Sequence, residues 1–122
     1  MSAFATRIRP HVQAELEAAA LAEEVGLPQA AFHHLERAHV LAQAATTEHV
    51  RVHWHMFRFA WKHRLHGEVV GQGLRLLLAA PLTVVGAIPS GNTGGSAVSG
   101  FQAMPIPADL QKLIDVARTG SM

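Results

Sequence analysis

Cysteine is absent from this chain of 122 residues. That excludes disulfides, thiolate zinc sites and cysteine nucleophiles, and it leaves the redox compartment undetermined. An excess of one charge is missing too: ten Lys and Arg stand against nine Asp and Glu, for a formal net charge of +1. So even a balance makes no field that would draw nucleic acid or an anionic membrane. Basic residues do collect between Arg51 and Arg64, but the aromatic residues among them fit helix packing better than base stacking. Long apolar runs are also lacking. The stretch from Val69 to Ile88 is broken by Gln72, Arg75 and Pro81, and a bilayer span needs about 20 apolar residues. Met1 to Pro10 has no apolar signal core. These absences predict a cytoplasmic protein with neither nucleic acid nor membrane as partner.

Apolar residues make up 49% of the chain and charged ones 16%, which suits one globular domain over residues 1–122. The punctuation reads as all-α. A first helix is expected from Pro10 to Val25, with a stripe of Ala14, Ala18, Leu21 and Val25 and with Gly26 closing it. A second runs from Pro28 to Gln43, so close behind that the two must be antiparallel neighbours. Thr46 or Thr47 caps a third, which ends near Arg64, and a fourth spans Glu68 to Ala80 until Pro81 stops it. Residues 10–80 thus read as two antiparallel helical hairpins. Leu27, Ala31, Leu35 and Ala38 correspond in spacing to His66, Val70, Leu74 and Leu77, as in a tetratricopeptide-like bundle. A long Gly/Pro-rich loop at 81–107 follows, pinned by Phe101, Met104 and Ile106, and then a short helix at 108–118 with Asp109 in its first turn.

Nine histidines are what this composition has in excess. At about 100° per residue, His39 falls inside the apolar arc of helix two, formed by Ala31, Phe32, Leu35, Ala38 and Ala42. His49 and His53 share a ridge of helix three, in an arc with Val52, Met56, Phe57 and Ala60. By contrast His33 and His55 fall with charged neighbours on polar faces. The turn near Ala45 folds His39 back to the level of His49 and His53. Three imidazoles, with Glu36 three residues before His39 as a fourth ligand, then converge on one point. That donor set suits divalent Zn, Ni, Co or Fe without separating them. The competing reading is a satisfied core, in which each histidine bonds a neighbouring polar group.

Other motifs carry less. A di-iron centre would need a second Glu-x-x-His, and Glu68 is the only acid on the fourth helix. The Gly91–Ser96 loop has no preceding strand and no phosphate-loop lysine, so its glycines read as turn formers. Trp54 and Trp61 lie seven apart on one stripe with Phe57 and read as core; exposed, they would form a protein-docking or homodimer surface. Whether the protein is an enzyme is left open.

The run His34-Leu35-Glu36-Arg37-Ala38-His39-Val40-Leu41-Ala42-Gln43, the pair His49 and His53, the Gly91–Gly95 loop and Met104-Pro105-Ile106-Pro107 together resemble a small bacterial family of helical proteins, a domain of unknown function. The resemblance spans most of residues 10–115 and implies a compact helical protein. It brings no activity and no catalytic residues.

Overall fold

The computed structural model describes residues 2–84, 94 and 104–120, the side chains of 77–84 excepted. Five helices make it up: α1 (Ala3–Glu24), α2 (Pro28–Ala42), α3 (Thr46–Lys62), α4 (His66–Val84) and α5 (Ala108–Thr119). Among the described residues there is no strand. Helix α1 packs mainly on α2, and α3 mainly on α4, while α2 meets α3 and α5 lies on α1.

Helix α1 begins seven residues before the expected Pro10. Ser2 caps it, its Oγ accepting from the Ala5 N–H at 3.1 Å. The reason for the extension lies in the apolar pattern, which continues through the proline. Ala5, Ile8, Val12, Leu16 and Ala19 are the buried side of this helix, at spacings of three and four. The face expected from the sequence is the wrong one, since Ala14 is exposed, Ala18 only half-buried, and Leu21 and Val25 both 61% exposed. A proline inside a helix removes one donor and crowds the turn before it; here five buried side chains hold the helix together across it.

The interhelical breaks follow the sequence more closely. Gly26, at φ +81°, closes α1, and Pro28 opens α2. Neither Thr46 nor Thr47 caps α3; Ala45 holds that position without a side-chain bond. Helix α4 runs past Pro81 to Val84, so the expected stop there does not occur. The proposed repeat register is not matched by burial either. Ala31 and Leu35 are buried, whereas Val70 and Leu74 are 66% and 58% exposed. The expected Gly91–Ser96 loop and the Phe101 anchor lie outside the described residues, Gly94 excepted.

The core runs between α1, α2, α3 and α5. Ile8, Val12, Leu41, Val52, Met56 and Leu110 are fully enclosed, and Ile106 packs against them as expected. Arg37 on α2 fastens three helices. Its Nε donates to Glu15 on α1 at 2.8 Å and its Nη2 to Asp109 on α5 at 2.5 Å. Arg7 Nη1 adds a bond to the Ala117 carbonyl at 2.9 Å, so α5 is held by polar contacts to α2 near its start and to α1 near its end. This frame fixes α2 against α3, where the histidines meet.

Candidate metal centre

His39 lies on the buried side of α2 with Ala38, Val40 and Leu41, and His49 and His53 lie one turn apart on the buried side of α3. Their relative exposures are 2%, 1% and 2%. The three Nε2 atoms form a nearly equilateral triangle. His39 is 3.0 Å from His49 and 3.1 Å from His53, and His49 is 3.1 Å from His53. The rings meet edge to face or tilted, with centroids 4.7 to 4.9 Å apart, so the nitrogens rather than the ring faces converge.

Hydrogen bonds among the rings cannot account for this triangle. A neutral imidazole has one ring hydrogen. That of His53 is committed elsewhere, because its Nδ1 is 2.6 Å from the Gln72 Oε1 acceptor. At most two hydrogens then remain for three short edges. Supplying a third by protonation is opposed by the surroundings. Burial, and the neighbouring His53, push His49 down to about 3, and burial lowers His53 as well. Three buried imidazole nitrogens this close are a group that could hold a metal ion.

The size of the triangle fits such an ion. Edges of 3.0 to 3.1 Å put the centre about 1.8 Å from each nitrogen, close enough to the roughly 2.0–2.1 Å of metal–imidazole bonds that the three could hold one ion. Ideal tetrahedral coordination at that length separates nitrogens by about 3.3 Å and an octahedral face by about 2.9 Å. The observed edges fall between these values. The donor set is three neutral nitrogens, of the kind that first-row divalent ions take.

Among the described residues, the three histidines are the group of acidic, imidazole or thiol side chains whose ligand atoms lie within 4.8 Å of one another. The fourth residue expected from the sequence is not brought to it. Glu36 is 30% exposed, with its Oε1 3.8 Å from His33 Nδ1 on the outer side of α2. Three residues before His39 is only about 60° round the helix, but the Glu36 carboxylate turns toward His33 on the same helix. Glu15 is engaged by His34 and Arg37. Glu48, next in sequence to His49, is fully buried, with Arg51 Nη1 donating to its Oε1 at 2.6 Å and Arg9 Nη1 forming only an ion pair with its Oε2 at 3.7 Å.

Two residues at the centre were missed as such in the sequence. Gln72 marks a polar break in an apolar helix, which is a usable signal: a lone amide among apolar neighbours needs a buried partner. Gly94 reads as an ordinary turn glycine, but it is buried at φ +85°, and a Cβ there would fall 2.5 Å from His39 Cδ2. Its carbonyl accepts from Gln72 Nε2 and from Arg75 Nη1, each at 2.6 Å. Only a residue without a side chain permits that approach. His33 is 68% exposed and His55 half-buried on the outer part of α3, so the polar-face assignment is right for His33 and nearly so for His55.

No curated protein and no solved structure matches the chain. A family model described as a protein of unknown function (DUF3703) matches residues 6–114, and the chain belongs to that family.

Proposed function

We propose that this protein binds a divalent transition metal through His39, His49 and His53. The observation that carries the reading is the triangle of Nε2 atoms, buried and with edges of 3.0 to 3.1 Å, for which the rings do not hold enough hydrogens. Zn, Ni, Co and Fe all suit three imidazoles. Glu36 would have to leave its place beside His33 to reach the ion, so the three imidazoles are assigned as the protein's ligands. Enclosure of the centre favours an ion that is retained, as in a structural or buffering role, over one open to substrate.

Equilibrium titration with Zn(II) or Co(II) tests this, with parallel variants. His39→Ala and His53→Ala should each abolish stoichiometric binding, while His55→Ala should bind as the wild type does. Binding of equal strength by all three variants would remove the assignment.

A second reading rests on a separate feature. Trp54 and Trp61 are 49% and 70% exposed rather than core, and they line a groove of about 710 Å³ with Phe57, Leu16 and Ala19. Exposed aromatic side chains beside a groove are what a protein-docking surface or homodimer contact presents. Under this reading Trp61→Ala changes the sedimentation coefficient or a partner's affinity and leaves metal binding intact; an unchanged monomer sets it aside.

A further inference from the structure

Gln72 on α4 is fully buried, and its carboxamide makes three contacts. Oε1 lies 2.6 Å from His53 Nδ1, and Nε2 lies 3.1 Å from Glu68 Oε2 and 2.6 Å from the Gly94 carbonyl. The way round of this amide is decided by its neighbours. Glu68 Oε2 and the Gly94 oxygen are both acceptors, so they must face the –NH2 group; the reverse orientation would set three oxygens against one another. The amide oxygen is therefore left facing His53, and it can only accept. The ring hydrogen of His53 is fixed on Nδ1, and its Nε2 enters the triangle as a lone pair.

Glu68 stands at the far end of this chain. Its carboxylate polarises the amide from one side, and the amide oxygen receives the imidazole N–H on the other. The three ligands themselves carry no negative charge, so a divalent ion among them gains from any anion that acts through hydrogen bonds. The same amide, with Arg75, also holds the Gly94 carbonyl, and Gly94 is the residue lying against His39. One side chain on α4 thereby bears on two ligands that come from different helices.

We propose that Gln72 is the positioning residue of this centre, with Glu68 behind it: together they set the tautomer of His53 and offset the charge of the bound ion. This rests on the metal reading for its second half only, since the tautomer is a property of the metal-free protein.

The test has two readouts. Nitrogen-15 NMR of the chelator-treated full chain, with ring signals assigned by a His53→Gln control, should show His53 as the Nδ1–H form. In Gln72→Leu the form should become mixed or switch, with Zn(II) affinity falling about 10- to 100-fold. Glu68→Gln should keep the Nδ1–H form, because its side chain can still accept from the amide, yet bind Zn(II) several-fold more weakly. A wild-type His53 carrying its hydrogen on Nε2 overturns the proposal whether or not Gln72→Leu folds. So does a folded Gln72→Leu with wild-type tautomer and affinity. If the tautomer is as expected and wild-type protein takes up no metal, the metal reading fails while the positioning of His53 stands.

Discussion

Acidification of the metal-free protein should destabilise it through His49. The side chain is 1% exposed, and burial, with His53 beside it, pushes its pKa from 6.5 down to about 3. In the unfolded chain the same ring titrates near 6.5. Below that value the unfolded state takes up a proton that the folded state refuses, so stability is full above pH 6.5 and declines as the pH falls toward 3. At pH 5 the difference is 1.5 pH units, or about 2 kcal/mol at 1.36 kcal/mol per unit. His53, lowered chiefly by burial, acts in the same direction. For a chain of this size, about 2 kcal/mol corresponds to a fall in Tm of roughly 6–10 °C. The assay is calorimetry in chelator between pH 8 and pH 5, a window in which ordinary carboxylates stay mostly ionised. His49→Leu fills similar volume without a proton site, and its Tm should depend visibly less on pH than that of the wild type. A wild-type Tm that stays flat to pH 5, or a His49→Leu profile of the same slope, would refute the reasoning.

Further outcomes can be checked by similar means. Gly94→Ala places a Cβ 2.5 Å from His39 Cδ2 at φ +85°, so it should lower stability by about 1–3 kcal/mol in chemical denaturation and weaken Co(II) binding in the visible spectrum. Arg51→Ala leaves the fully buried Glu48 carboxylate with Arg9 at 3.7 Å; the loss should be about 2 kcal/mol in urea, and much of it should be recovered by the double variant with Glu48→Gln. Ile8→Ala empties a fully enclosed position in α1 ahead of Pro10 and should cost about 2–5 kcal/mol. Trp61→Ala, at 70% exposure, should change stability by no more than about 0.5 kcal/mol; a large loss would return that ring to the core.

Histidine placement was legible because helical period is a local property. The arcs that put His39 with Ala38 and Leu35, and His49 and His53 with Val52 and Met56, needed only the angular step per residue and the position of one turn. Glu36 shows where that reasoning stops. A flank position can turn inward or outward, and its choice depends on which neighbour stands near; here it is His33. The start of α1 was lost for a related reason. Read alone, Pro10 marks a helix start, but burial of Ala5 and Ile8 in a tertiary core outweighs one missing hydrogen bond and carries the helix back to Ala3. Trp54 and Trp61 reversed expectation because their shared stripe with Phe57 gives a helix face but says nothing of which neighbours are at hand to cover it. Gln72 and Gly94 depend on contacts between distant parts of the chain, Gln72 lying 19 residues from His53 and 22 from Gly94, and no periodicity encodes those.

X-ray absorption at the K-edge of bound zinc or cobalt measures the central claim most directly. The account predicts three imidazole nitrogens at roughly 2.0–2.1 Å, with the multiple-scattering pattern of intact rings, and loss of one ring from the pattern in any variant that still retains the ion. A first shell made up of oxygens, or a wild-type spectrum identical to that of the triple variant His39→Ala, His49→Ala, His53→Ala, would contradict it.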